Sequence, residues 1–159
     1  MAYTDEQIQR LVEEYGPCIY RLAVAQLRNP HDAEDIYQEV FLRLIRATPT
    51  FESPAHQKAW FLRVTANCCK DLLKKRHRQD VALTPQDRPD ADPEFLTLSA
   101  ALEDLPPKYR ALIHLFYYEG YKTEEIAEIL ETKPATVRSG LNRARKRLKN
   151  LMEGEGRHV

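Results

Sequence analysis

The sequence predicts an all-α fold of two small helical domains joined by a flexible acidic linker, the second domain containing a helix-turn-helix. Three observations lead there. Five Gly, few β-branched runs and many Leu, Ala, Arg and Glu favour helices over strands. Apolar residues recur in steps of three and four in several segments. Residues 79–93 show no helical period but hold Asp80, Asp87, Asp90 and Asp92 with Pro85, Pro89 and Pro93, which reads as a linker. A chain of 159 residues accommodates one ordinary domain or two small ones. With 43% hydrophobic and 30% charged residues it is not a disordered tail. No stretch approaches the roughly 18 uncharged apolar residues of a spanning helix. Asp5 and Glu6 preclude a basic-then-apolar signal at the start. The expectation is a cytoplasmic protein with no membrane insertion.

The first helix opens at Thr4, with Gln7 three residues on as its capping-box partner. Gly16-Pro17 is expected to interrupt or bend it, with a second segment running to about Arg28. Asn29-Pro30 signals a turn. Asp32, Glu34 and Asp35 open a helix to about Arg46, acids where a helix dipole favours them, with Ile36, Val40, Phe41 and Leu44 as its buried stripe. A loop over 47–56 contains Pro49 and Pro54. A long helix from about His56 to Arg78 then carries Phe61, Val64, Cys68 and Leu72 on one face. The first domain thus spans 1–78, the linker 79–93 and the second domain 94–153. Within the latter, a helix near 94–104 precedes Pro106-Pro107 and a helix through Phe116 to Tyr118, which Gly120 is placed to cap. Thr123 is the expected N-cap of a short helix over 124–130. Glu131-Thr132-Lys133 leads to Pro134 and a last helix with Val137, Leu141, Ala144, Leu148 and Leu151 on one stripe.

The formal net charge is zero, yet the charges are sorted along the chain. Residues 58–78 hold seven Lys/Arg against one acid, Asp71, and residues 132–152 hold seven more with no acid. Between them, residues 79–131 carry twelve acids and four Lys/Arg. Two basic blocks separated by an acidic one suit a polyanion held at two places, although a pair of solvated helix faces would look the same. Three cysteines, two of them adjacent (Cys68 and Cys69), make a poor disulfide framework, and no zinc-ligand spacing occurs. They read as reduced, mostly buried thiols.

A short helix, a tight turn and a longer basic helix make a helix-turn-helix. Ile126, Ala127, Ile129 and Leu130 would pack on Val137 and Leu141, and the small Ala127 allows close approach. The opposite face of the last helix presents Thr136, Arg138, Ser139, Asn142, Arg143 and Lys146. In a major groove such Arg and Asn side chains can read base edges while Ser or Thr reaches phosphate. The helix over 56–78 mixes Trp60 and Phe61 with Asn67 and a basic end, which suits single-stranded or distorted DNA. On spacing alone Trp60 and Phe61 read as core residues before base platforms.

The stretch Asp32-Ala33-Glu34-Asp35-Ile36-Tyr37-Gln38-Glu39-Val40-Phe41, followed by Trp60-Phe61-Leu62-Arg63-Val64-Thr65-Ala66-Asn67, resembles region 2 of bacterial sigma-70 factors. Leu105-Pro106-Pro107-Lys108-Tyr109-Arg110, Glu124 to Leu130 and Thr136-Val137-Arg138-Ser139 resemble region 4. The two stretches lie in family order and cover nearly the whole chain. A short linker in place of region 3 is the arrangement of the extracytoplasmic-function (ECF) group. The resemblance implies a promoter-specificity subunit that binds core RNA polymerase and promoter DNA, helps melt the duplex, and has no catalysis of its own. Asp35, Gln38, Glu39 and Phe41 match the part that docks on the β′ clamp helices. The loop from Phe51 to Gln57 and Asn67 match the segment that captures a flipped base of the −10 element, with Lys58, Trp60 and Arg63 close by. Lys70, Lys74 and Arg76 would hold the backbone. The last helix matches the reader of the −35 element. Further partners implied are the β flap and an anti-sigma factor that wedges against both domains.

Two positions depart from the family pattern. Glu131 stands at a turn position usually occupied by Gly. Gly140 stands where the recognition helix usually has Arg, which is expected to cost roughly 1 kcal/mol of helix propensity and one DNA contact. Two other classes fit the residues less well. A stand-alone DNA-binding regulator would leave the helices over 32–46 and 56–78 without a role. An enzyme could use Asp32, Asp35 and Glu39 to hold Mg²⁺. No phosphate-binding Gly loop or Ser/Cys–His constellation accompanies them, and the five histidines are scattered. The expectation is no catalytic residue, metal or cofactor.

Overall fold

The computed structural model describes residues 2–79 and 101–156, so the predicted linker beyond Gln79 and residues 94–100 of the next predicted helix lie outside the described residues. The described residues are helical and contain no strand. None of their helices is long and apolar enough to cross a membrane. The chain divides into two units, Met1–Ala82 and Leu83–Val159.

The first unit is three packed helices: α1 (Asp5–Leu27), α2 (Pro30–Ala47) and α3 (Pro54–Gln79). At the start of α1 the Gln7 N–H donates to Thr4 Oγ1 (3.2 Å) and the Thr4 N–H to Gln7 Oε1 (2.9 Å), completing the predicted capping box. The expected interruption at Gly16-Pro17 does not occur, and α1 runs unbroken through both residues. A proline in a helix interior costs about 3 kcal/mol, yet each fully buried Leu or Ile contributes about 1.5–3 kcal/mol. Ile19 and Leu22 are completely buried just beyond Pro17, so tertiary burial overrides the local break. Gly16 has a packing role, because a Cβ there would lie 2.9 Å from Tyr37 Oη. Asn29 caps α2, its Oδ1 accepting from the N–H groups of His31 (3.0 Å) and Asp32 (3.1 Å).

Ile36, Val40, Phe41 and Leu44 are buried as the stripe predicted. On α3 the fully buried face runs through Phe61, Leu62, Thr65, Ala66, Cys68 and Cys69, while Val64 and Leu72 are half-buried, so the core stripe is rotated slightly from the expected one. The buried Thr65 hydroxyl donates to Phe61 O (2.6 Å) and the Cys18 thiol to Tyr15 O (3.2 Å). All three cysteines are buried free thiols. Burial pushes the Cys68 thiol up to about 11 and raises Cys69 as well, which leaves both protonated and inert at neutral pH.

Among the described residues of the second unit, a helical turn over 101–104 is followed by α4 (Pro107–Ile113), a π-helical turn (His114–Tyr118), α5 (Thr123–Ile129) and α6 (Pro134–Gly156). The buried Arg110 guanidinium donates to the carbonyls of Leu102 (3.3 Å), Glu103 (3.2 Å) and Leu105, closing the end of that first turn. Gly120 has φ +76° at the end of the π turn, a left-handed conformation suited to glycine. Thr123 is the first residue of α5 rather than its cap. The extended Lys122 precedes it, with its N–H bonded to Glu125 Oε1 (3.0 Å).

The turn between α5 and α6 is a Schellman motif. The Thr132 N–H reaches back to Ala127 O (2.9 Å) and the Glu131 N–H to Glu128 O (3.3 Å). That pair of bonds requires a left-handed residue between the helices, and Glu131 supplies it at φ 55°. An L residue with a side chain is strained there by about 1–2 kcal/mol. Glu131→Gly is therefore expected to stabilise this unit by up to about 1 kcal/mol after glycine's greater unfolded-state entropy is counted. The midpoint of urea unfolding measures this, and a lowered midpoint would show that the Glu131 side chain outweighs the backbone strain.

Candidate nucleic-acid interface

Two exposed basic helix faces form the candidate interface, one in each unit. In the first unit it starts at the loop over 48–53. Ser53 caps α3, its Oγ accepting from the His56 N–H (3.1 Å), and His56 Nδ1 accepts from the Glu52 N–H (3.1 Å). The half-buried Phe51 packs edge-on against His56 (5.7 Å between ring centroids) and Trp60 (5.8 Å). The loop is tied to the segment before α1 by the Tyr3 hydroxyl, which donates to Pro49 O, and the start of α3 is tied to α1 by the Tyr15 hydroxyl, which donates to Gln57 Oε1 (2.8 Å). The loop therefore has a defined shape.

Trp60, Arg63, Asn67, Lys70 and Lys74 follow one another in steps of three and four, a single stripe about 21 Å long at 1.5 Å per residue. Asn67, Lys70 and Lys74 are exposed, while Lys58, Trp60 and Arg63 are half-buried. Phe61 is completely buried and is a core residue. Trp60 lies against Phe51 and Phe61 with part of its ring surface open.

Arg76 is engaged inside the fold. Its two terminal nitrogens bond the two carboxylate oxygens of the buried Asp32, joining the end of α3 to the start of α2. Hydrogen bonding to Asp32 raises the Arg76 pKa, against the partial burial that lowers it. Its charge is thus balanced within the protein. The same geometry bears on the Mg²⁺ reading: Asp32 faces Arg76, and Glu39 faces Arg43 (3.3 Å) and Arg46 (3.8 Å). Among the described residues no group of three or more His, Cys, Asp or Glu could hold a metal ion.

The exposed face of α2 differs from expectation at one residue. Asp35 and Gln38 are exposed and Glu39 is half-buried. Phe41 is only 8% exposed and packs against Tyr37 and Phe61, so it belongs to the core rather than to a contact surface. Its ring falls between Val40 and Leu44 on the inward stripe. The exposed apolar residues on this side of α2 are Leu42 (45% exposed) and Ile45 (48%), which continue the Asp35–Gln38 line at helical spacing. Sequence reasoning missed both, although apolar residues outside the buried stripe were the available signal.

In the second unit Ile126, Ala127 and Ile129 of α5 and Val137, Leu141 and Ala144 of α6 are buried. Thr136, Arg138, Ser139, Asn142, Arg143 and Lys146 are all exposed, so every residue predicted for the last helix lies on its outward surface. Arg138 approaches Glu124 of α5 at 4.0 Å. The Glu124 carboxyl is held below the usual carboxylate range chiefly by its own backbone N–H, then by the Thr123 hydroxyl and by Arg138. Arg145, absent from the predicted set, turns away from this surface. Its guanidinium lies 5.2 Å from the Phe116 ring centre and 5.4 Å from that of Tyr117.

Gly140 requires a correction. It is buried on the inner face of α6, and a Cβ there would lie 2.5 Å from Leu112 Cδ1. The position faces α4, so glycine removes no DNA contact. It permits close helix packing.

Comparison with known proteins agrees with this geometry. Residues 11–79 match Sigma-70 region 2, and residues 95–148 match Sigma-70, region 4. The chain belongs to the sigma-70 family. An RNA polymerase sigma factor from Bacillus subtilis, SigV, is 33% identical over 85% of this chain and 84% of its own length. The ECF sigma factor SigW of the same organism is 31% identical over 89% and 87%. The ECF factor SigE of Mycolicibacterium smegmatis is 35% identical over 89% of this chain, which spans 60% of that longer relative. These relatives place the chain in the ECF group. Among solved structures, the sigma factor RpoE in complex with the anti-sigma factor NepR from Bartonella quintana has a TM-score of 0.73 at 26% identity, covering 94% of this chain and 98% of that one. CnrH, solved with the cytosolic domain of CnrY, shares the fold at a TM-score of 0.69 and 22% identity, covering 95% and 90%.

The Gly140 contact can be measured in this ECF factor. Gly140→Ala gains about 1 kcal/mol of helix propensity but incurs an overpacking cost of about 1–3 kcal/mol. In a double-mutant cycle with Leu112→Val, which removes the clashing methyl, a favourable coupling of about 0.5–2 kcal/mol in urea unfolding is expected. Strict additivity would show that α6 absorbs the methyl without Leu112.

Proposed function

We propose that this chain acts in the cytoplasm as an ECF sigma factor. It docks on core RNA polymerase, recognises a promoter through two separate elements and helps melt the duplex, leaving bond formation to the polymerase. The observation that carries the reading is the pairing of each basic face with its own family region: the α3 stripe with region 2 and α6 with region 4. Residues 1–78 serve core docking and the −10 element, 94–153 the −35 element, and 79–93 connect them.

The division of labour follows from exposure and charge. Asp35, Gln38 and Glu39, extended by Leu42 and Ile45, give α2 a mixed acidic and apolar surface suited to the β′ clamp helices. The shaped loop from Phe51 and the exposed Asn67 receive an unstacked base of the −10 element beside Trp60, with Lys58, Arg63, Lys70 and Lys74 along the phosphates. Arg76 contributes chiefly by fixing the end of α3. Arg138, Asn142 and Arg143 read base edges of the −35 element, while Thr136, Ser139 and Lys146 reach phosphates. The second unit would also meet the β flap. RpoE was solved with the anti-sigma factor NepR, which supports control of this chain by a protein of that kind.

Binding to promoter-like duplex and partly melted DNA, with and without bacterial core RNA polymerase, tests the reading. Sequence-selective binding that needs core is expected. Tight duplex binding by the chain alone, unaffected by core, would make it a stand-alone regulator instead. The α2 surface has its own test. Leu42→Lys with Ile45→Lys should leave the fold intact and weaken competition for core polymerase by at least about tenfold, since charged residues at an apolar contact centre are disfavoured. Normal competition by that variant would remove Leu42 and Ile45 from the docking face.

A further inference from the structure

The Arg145 side chain joins two structures that the sequence keeps apart. Its Nε donates to the Tyr117 hydroxyl (2.5 Å), and its guanidinium lies within cation–π range of the Phe116 and Tyr117 rings. Those rings meet edge to face with centroids 4.9 Å apart, forming a corner against which the planar guanidinium rests. From that corner Arg145 Nη1 donates to Asn142 Oδ1 at 3.2 Å. A guanidinium has donors only, so the amide oxygen of Asn142 must face Arg145 and its NH₂ group must face away.

We infer that Tyr117 and Arg145 are positioning residues that fix Asn142 as a hydrogen-bond donor towards the DNA. The inference rests on the reading of α6 as the −35 recognition helix and adds the chemistry of one of its contacts. An unrestrained Asn can rotate its amide to offer either a donor or an acceptor, and so tolerates different bases. One held through its oxygen offers the NH₂ first. In the major groove this selects an acceptor, guanine O6/N7, thymine O4 or adenine N7, and disfavours cytosine, whose exposed N4 is itself a donor. Arg145 thereby affects specificity without touching a base, and the aromatic π turn, 28 residues away in sequence, sets the orientation of a residue in the groove.

Selection from a sequence-randomised promoter duplex library by the full chain with bacterial core polymerase tests this. The parent is expected to favour an acceptor base over cytosine about tenfold at one −35 position, the position whose preference Asn142→Ala abolishes. Tyr117→Phe keeps both rings but removes the hydroxyl acceptor. Arg145→Lys keeps the charge but cannot hold both partners in one plane. Each should reduce the preference at that same position to about twofold while leaving the other positions unchanged, a pattern that general loss of stability would not produce. If either variant lowers binding equally for all sequences, Arg145 acts on phosphate or packing and the inference fails. It fails also if Asn142→Ala leaves the selected sequence unchanged. A parent that selects no sequence even with core would overturn the promoter-recognition reading itself, a result distinct from the other two.

Discussion

The phase of α3 is set by one ring. Phe61 is completely buried where the three helices of the first unit meet the loop, stacked on Tyr15 at 4.8 Å and flanked by Trp60 (5.2 Å), Phe41 (5.7 Å) and Phe51 (6.4 Å). A helix with that side chain inward can turn only its other side outward, and the α3 stripe from Trp60 to Lys74 is that side. The same contact explains why the loop has a shape at all, since Phe51 packs into the ring cluster and Ser53 then caps the helix. Substrate-facing chemistry in this unit is therefore a by-product of core packing. The residues that would meet DNA are those the core leaves over.

In the second unit the equivalent constraint is close approach between α4 and α6. Gly140 against Leu112 brings the helices together on one side, while Val137, Leu141 and Ala144 complete the buried seam. The Schellman turn fixes the entry of α6 from the opposite end. The strain at Glu131 is local and of the order of 1 kcal/mol, smaller than the contribution of a single buried Ile. The fold can therefore hold a non-glycine residue there without giving up the geometry of the helix-turn-helix.

Much of this was legible in the sequence because it is local. The Thr4–Gln7 box, the buried stripe of α2 and the outward set on α6 depend on spacings of three to four residues, and the structure places all of them as expected. What was not legible depends on distant partners. Pro17 continues its helix because burial on either side outweighs the missing hydrogen bond. Arg76 meets Asp32 across 44 residues, and Arg145 meets Tyr117 across 28. Phe41 is on the buried stripe that the spacing predicts, and its place in the core conflicts only with the docking role that the family resemblance implies for it. At Gly140 the close approach of Leu112, 28 residues earlier in the chain, is what requires the glycine. A family pattern gives the residue types at a site, whereas the burial of each one has to come from the assembled helices.

The same distinction applies to the charges. Counted along the sequence, the two basic blocks look alike and each seems wholly available to a polyanion. In the fold they divide into two populations. Arg76 faces a carboxylate of its own unit, and Arg145 faces aromatic rings and an amide. Lys70 and Lys74 on α3, and Arg143 and Lys146 on α6, project from exposed surface. Nucleic-acid affinity draws on counterions released when phosphates are neutralised, and a cation already matched by a carboxylate has less to contribute to that exchange. The electrostatic footprint of this protein is thus smaller than its basic residue count and more sharply placed. A modest number of unmatched cations on two separate helices gives weak attraction at each site alone. Strong binding then requires both sites to be engaged at once, which is the behaviour expected of a subunit that recognises a promoter only when the polymerase holds its two halves in register.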